Sequence, residues 1–241
     1  MRIQLLDNIT GKWAVQWTIG WFVAGVIALS IGFWKFTQHT GLDWFYLGVS
    51  FIGLLCVVSL SFRKNILGNG LGLLANIGEI IVQFTSGAVG LMLTPAFNST
   101  THVAGLFYWS KHSDGDGQMV PQSANKLVWL AAIAFIIIGL FLFPYVNNLM
   151  NEYQFLNIDN DQFYWLNVAA FVVAITAQAT MIMRYAFSWW LWILSNVIWL
   201  SVNLITGNYI FAIQTMVYQV NAIVGLYEWY RNEQDDNEIL A

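Results

Sequence analysis

Charge is scarce in this 241-residue chain: Asp, Glu, Lys and Arg make up 9% of it, against 58% hydrophobic residues. That is too little polar surface to coat a soluble globule and far too much apolar surface for a single core. Cysteine is almost absent. Cys56 stands alone inside an apolar stretch, which excludes an intrachain disulfide and reads as a small buried hydrophobe. Also missing are a cluster of His, Cys and carboxylates at metal-ligand spacing, a glycine-rich phosphate loop after a strand, and a nucleophile motif. The expectation is a non-enzymatic protein without metal, cofactor or nucleic-acid partner, embedded in membrane lipid.

What is present is apolar sequence in uncharged blocks of about 20 residues, the length an α-helix needs to cross about 30 Å of hydrocarbon. The blocks predict an all-α membrane protein with eight transmembrane helices, at 13–35, 43–62, 66–87, 91–110, 126–147, 162–183, 188–206 and 208–230. The first block is longer than a signal-peptide core and is followed by no small-residue cleavage pattern, so it reads as a retained span. With eight spans, Arg2, Lys12, Arg63, Lys64, Lys111, Lys126, Arg184 and Arg231 fall on one side and only Lys35 on the other. Positively charged loops stay cytoplasmic, which places both termini in the cytoplasm. The acidic tail NEQDDNEILA and the loop SDGDGQMVPQSAN then read as solvated cytoplasmic segments without chemistry.

The chain also contains an internal repeat. LLANIGEIIVQFTSG, from Leu73 to Gly87, aligns with ILSNVIWLSVNLITG, from Ile193 to Gly207, and matches Asn76 with Asn196, Gln83 with Asn203 and Gly87 with Gly207. In the same register, 120 residues apart, Gly105, Leu106 and Trp109 lie over Gly225, Leu226 and Trp229. Each repeat holds three spans, and the unmatched span between them restores the orientation, so the two triplets are parallel. The predicted plan is an extra N-terminal helix plus a 3+1+3 core. Its segments are 1–37 with the extra helix, 42–113 as the first repeat, 114–160 as linker and central helix, 161–232 as the second repeat, and 233–241 as the tail. Parallel repeats related by an axis along the membrane normal form a transporter architecture with the solute near the midplane.

Polar stripes mark the inward faces. Trp189, Trp192, Asn196, Trp199 and Asn203 recur at steps of three and four and share one helical face. Their counterparts 120 residues earlier, Asn69, Gly72, Asn76, Glu79 and Gln83, do the same. In the last helix of each triplet Thr94, Asn98, Thr101 and Gly105 match Gln214, Tyr218, Asn221 and Gly225. Lipid cannot satisfy such faces, so they point inward. Each amide could be interhelical glue, but indoles beside amides suit a flat, polar, aromatic ligand. The candidate binding residues are Trp189, Trp192, Asn196, Asn203, Asn76, Glu79, Gln83, Asn98, Tyr218 and Asn221. Glu79 reads either as a counter-charge or as a protonated carboxyl bonded across helices. His102 reads as a packing histidine, with proton coupling as the alternative. No Lys or Arg lies mid-span to meet a phosphate, which favours a neutral or cationic solute over a nucleotide.

On these features the chain resembles the PnuC family of bacterial vitamin transporters: the 3+1+3 plan, the Trp189-x-x-Trp192 pair like that family's WxxW signature, and NAIVGLYEW from Asn221 to Trp229 like its final helix. The resemblance implies uptake of nicotinamide riboside across the bacterial inner membrane by facilitated diffusion, without ATP or ion coupling, followed by phosphorylation in the cytoplasm. It further implies a homotrimer and a fold related to the SWEET sugar transporters, with two three-helix bundles rocking about a central site. Thiamine, another cationic aromatic vitamin, meets the same physical arguments. A sugar carrier and a membrane scaffold are the remaining alternatives.

Overall fold

The computed structural model describes residues 4–85, 93–152, 161–205, 207 and 209–233, and leaves the side chains at 83–85, 144, 147–152, 161–164 and 167 undescribed. Among the described residues there are nine helices: α1 (Gln4–Thr10), α2 (Ala14–Phe36), α3 (Gly41–Ser61), α4 (Asn65–Thr85), α5 (Leu93–Ser110), α6 (Lys126–Glu152), α7 (Asp161–Ile182), α8 (Ser188–Ile205) and α9 (Tyr209–Arg231). Six of them, α2, α3, α4, α6, α8 and α9, are long and apolar enough to cross a membrane. Two helices expected as spans are not among the six: α5 falls short in hydropathy, and α7 contributes the shorter apolar run Val168–Ile182 among the described residues. His102 on α5 and Thr176, Gln178 and Thr180 on α7 are all buried.

Two further differences from the sequence reading concern helix limits. The short α1 lies where only a connecting segment is expected, and α9 holds it: Arg231 sits 3.9 Å from the Asp7 carboxylate, to which the Tyr227 hydroxyl also donates. Helix α6 continues to Glu152 rather than ending near 147, since a helical backbone does not stop where apolar sequence stops. At α3 the start is fixed locally. Thr40 and Asp43 form a capping box, each accepting from the other's backbone N–H.

Packing groups the helices. α3 lies on α4 and α4 on α5; α7 lies on α8 and α8 on α9. The two groups meet through α3 against α9 and α5 against α7, while α2 covers α3 and α9, and α6 rests on α7. Matching glycines set two of the close approaches. A Cβ on Gly105 would lie 2.6 Å from Asn69 Oδ1 of α4, and one on Gly225 would lie 2.7 Å from the Trp189 indole of α8. Matching tryptophans tie the groups together at one end: Trp109 of α5 donates to Ile182 O of α7 at 2.8 Å, and Trp229 of α9 donates to Leu60 O of α3 at 3.0 Å. Both rings are fully buried and meet edge to face, with centroids 5.6 Å apart.

The loop SDGDGQMVPQSAN corrects the sequence reading. It was expected to be solvated, yet Met119 and Gln122 are buried, and residues 118–122 form a strap across the end of the bundle that carries Trp109 and Trp229. Arg63 and Arg184, counted as exposed loop charges from the sequence, are instead 6% and 3% exposed. Each follows the last turn of its helix, α3 or α7, in the left-handed region, at φ 59 and 69, a conformation that costs on the order of 1 kcal/mol for a non-glycine residue. The hydrogen bonds that hold them there are matched. Arg63 donates to Met119 O (3.1 Å) and Gln118 Oε1 (3.1 Å), and Arg184 donates to Val120 O (2.7 Å) and Gln122 Oε1 (3.0 Å). Backbone bonds from Met119 N to Arg63 O and from Gln122 N to Arg184 O complete the tie. Glu228 of α9 lies 3.5 Å from Arg63.

The glycine contact gives a stability test. Gly225→Ala forces the Trp189 indole to move and should destabilise the protein by about 1–3 kcal/mol, lowering its thermal midpoint in detergent. Gly20→Ala, where an added Cβ meets nothing within 4 Å, should leave the midpoint unchanged or raise it. Equal midpoints for the two variants would remove the close approach from the account.

Candidate functional site

Between the two helix groups lies a cavity of about 740 Å³, within the range typical of small-molecule sites. Its mouth is formed by the α2–α3 turn at Thr37 and Gln38 and by Gly207 and Tyr209 between α8 and α9. Its floor lies at Trp189, Met181 and Ala222, all buried. Beneath the floor Trp189 meets Trp229 edge to face at 5.5 Å, and the Trp109–Trp229 pair and the strap close that end.

Helix periodicity explains the walls. All five residues of the α8 stripe, Trp189, Trp192, Asn196, Trp199 and Asn203, line the cavity, while the opposite face shows Trp190, Leu194, Val197 and Leu204 half exposed on the outer surface. On α4 Asn76 and Glu79 line it, with Ile66, Leu74, Ile77 and Ile81 exposed on the other side. Asn98 reaches it from α5, and Tyr218 and Asn221 reach it from α9. Nine of the ten candidate binding residues thus surround one space. The tenth, Gln83, has its side chain outside the described residues.

Their hydrogen bonds separate fixed groups from unpaired ones. Asn76 Nδ2 is held by Gly72 O at 2.7 Å, one turn back in its own helix. Asn221 is partly the glue that the sequence allowed, because its Nδ2 donates to Val57 O (2.9 Å) and Ser61 Oγ (2.6 Å) of α3. Asn203 Nδ2 approaches Thr215 Oγ1 at 3.5 Å. Four buried polar atoms on lining residues have no partner among the described residues: Trp189 Nε1, Trp192 Nε1, Asn98 Oδ1 and Asn221 Oδ1. Each of the four is enclosed by protein rather than open to the cavity. Leaving such an atom unpaired costs about 1–3 kcal/mol.

Several lining residues escaped the sequence reading. Tyr46 of α3 donates to Gln214 Oε1 at 2.6 Å, and Gln214 Nε2 donates to Tyr218 Oη at 2.8 Å, so three residues on two helices form one chain on the wall. Gln214 stood in the α9 stripe, and only its match to Thr94 was visible. Gln178 of α7 and His102 of α5 adjoin each other at the cavity. Tyr46 and Gln178 belong to the outer helices of the triplets, where no repeated stripe marked them. Cys56 also lines the cavity, its thiol 3.2 Å from Gly68 O. The acidic lining residues are Asp43 and Glu79, and no Lys or Arg is among the described lining residues. Among the described residues no group of His, Cys, Asp and Glu could hold a metal ion.

Comparison with known proteins agrees with this plan. Residues 43–231 match the family described as nicotinamide mononucleotide transporter. A Haemophilus influenzae protein, "Nicotinamide riboside transporter PnuC", is 25% identical over 233 residues, covering 95% of this chain and 96% of its own. A solved structure, "Crystal structure of the Vitamin B3 transporter PnuC", superposes with a TM-score of 0.71 at 19% identity, covering 89% of this chain and 90% of its own. That superposition shows a shared fold. This chain belongs to the nicotinamide mononucleotide transporter family, the PnuC transporters, and is a multi-pass membrane protein that carries a solute rather than an enzyme.

Proposed function

We propose that the protein takes up nicotinamide riboside by facilitated diffusion, with the solute seated in the cavity between the two helix groups. The observation that carries this reading is the lining. Indoles and amides surround the space, its acidic groups are Asp43 and Glu79, and no Lys or Arg is among the described lining residues. A pyridinium ring is attracted to indole faces by about 0.5–2 kcal/mol and to acidic groups, while ribose hydroxyls and the carboxamide pair with the amides of the wall. A phosphate dianion would meet acidic groups and no cationic side chain, so the riboside fits better than its mononucleotide. Trp189 and Trp192 contact the ring, and Asn196, Asn203, Asn76, Asn98, Gln83, Tyr218 and Asn221 supply polar contacts. Glu79 offsets the ring's charge.

The architecture behind this reading is eight spans, α2 to α9, arranged as an extra helix and a 3+1+3 core of parallel repeats. Exchanging the two triplets turns the α3–α9 contact into the α7–α5 contact, and the paired glycines, tryptophans and arginines support the same relation. The protein resides in the bacterial inner membrane with both termini cytoplasmic and assembles as a homotrimer. In that orientation the cavity mouth faces outward, and the strap with its tryptophans shuts the cytoplasmic end. Transport then proceeds by alternating access, the triplets parting at the strap as they close at the mouth, without ATP.

Calorimetry on the purified protein tests the substrate. Nicotinamide riboside should bind more tightly than its mononucleotide, and Trp192→Ala or Asn196→Ala should weaken it at least about tenfold, or about 1.4 kcal/mol. Unchanged affinity in both variants would remove the site, and a preference for thiamine would change the substrate. Access gives a second check. On a Cys56→Ser background, Asn203→Cys should react with a membrane-impermeant thiol reagent applied outside cells and be protected by nicotinamide riboside, whereas Val197→Cys on the outer face should show no protection. Equal behaviour at the two positions would contradict an outward-open cleft.

A further inference from the structure

A buried hydrogen-bond chain runs beside the cavity through α4, α5 and α7, and each of its links has a fixed direction. Asn65 Nδ2 donates to the carbonyl of Leu106 at 3.0 Å, so Asn65 Oδ1 is the atom that accepts from Asn69 Nδ2 at 2.9 Å. Asn69 Oδ1 consequently faces His102 Nδ1 at 3.0 Å. An amide oxygen only accepts, so Nδ1 carries the proton and Nε2 of the neutral ring is an acceptor. Gln178 Nε2 lies 3.4 Å from that nitrogen.

The other end is anchored independently. The Thr101 hydroxyl donates to Asn98 O at 2.8 Å, which leaves its oxygen to accept from Gln178 Nε2 at 3.1 Å. Both links require the amide nitrogen of Gln178 to point at α5, and they engage both of its N–H groups. The side chain is 1% exposed and lines the cavity. Its Oε1 has no hydrogen-bond partner among the described residues and faces away from the two bonds that hold the nitrogen.

We propose that Gln178 is a specificity-determining residue of the transporter: the chain from Asn65 to Thr101 locks its amide so that the carbonyl oxygen meets the solute as an acceptor, selecting solutes with a hydrogen-bond donor at that point. This rests on the reading of the cavity as the solute site. A site built to accept a hydrogen bond rejects an analogue lacking the donor far more strongly than an apolar wall rejects a change of size, because the buried oxygen is left unpaired. The donor is an N–H of the ring carboxamide or a ribose hydroxyl. His102 and Thr101 act as positioning residues that hold the Gln178 amide.

The test pairs protein variants with ligand variants, since a structural role and a recognition role differ in how they distribute the loss. Affinities are measured for nicotinamide riboside, its 2′-deoxy and 3′-deoxy forms, and the form with a dimethylated carboxamide. In the wild type at least one analogue should bind about tenfold more weakly than the parent. In Gln178→Met, of similar length but without an acceptor oxygen, the parent should lose about tenfold and discrimination against that one analogue should fall below about threefold, with the others unchanged. Thr101→Val, which leaves Gln178 in place but frees its amide to turn, should relax the same discrimination and no other, and serves if Gln178→Met does not fold. An equal loss for every ligand, or no loss, would overturn the proposal while leaving the cavity assignment intact. Failure of the wild type to bind nicotinamide riboside would instead strike the functional reading, and this proposal with it.

Discussion

A polar side chain on a membrane-crossing helix has no water to bond to, and this constraint organises the molecule. It turns polar side chains toward another helix, an internal space or a carbonyl of their own helix. Where two groups of three helices each turn such a face inward, the faces meet, and their bulk keeps the backbones apart along much of the contact. Approach is close where glycine permits it, at Gly105 against Asn69 and at Gly225 against Trp189. Both notches fall on the helices that flank the cavity, so the same pattern brings helices together and leaves room between them.

The closed end solves a different problem. Trp109 and Trp229 are fully buried, and each donates its indole N–H to a carbonyl in the last turn of a helix in the other group. The strap then sits on this pair, held by two arginines that donate to its backbone carbonyls and glutamine side chains, while Asp114 and Glu228 lie 3.7 and 3.5 Å from Arg63. The bonds to the strap itself go to neutral acceptors and are weaker than bidentate ion pairs, and that suits an end which, in the transport cycle proposed above, has to open. The left-handed backbone at Arg63 and Arg184 works in the same sense, since the strain is retained only while the strap is tied.

Much of this was legible in the sequence, and the reason is periodicity. The α8 stripe could be assigned to one face because helical spacing is fixed, and the offset of 120 residues carried that assignment to α4 and to both final helices. The strap was not legible. Arg63 and Arg184 follow helix ends in a pattern that the charge-segregation rule reads as exposed cytoplasmic loop, and QMVPQ has no helical or strand period to betray its burial. Gln178 and Tyr46 were missed for a related cause: each lies on the first helix of its triplet, where the polar residues do not recur on one face 120 residues apart and so form no stripe. α5 shows the converse, since the buried His102 that helps lower its hydropathy adjoins Gln178 of α7 and so joins the two triplets.

The strongest rival is that the amides and indoles only hold helices together. Glue accounts for part of what is seen: Asn221 Nδ2 ties α9 to α3, and Asn76 Nδ2 folds back on its own helix. But glue works by pairing and close packing, and it needs no void. Nine of the polar and aromatic side chains singled out from the sequence instead surround one cavity of about 740 Å³, walled by indoles, amides and acidic groups. A purely structural core would close such a space, whereas a site for a polar aromatic solute requires it.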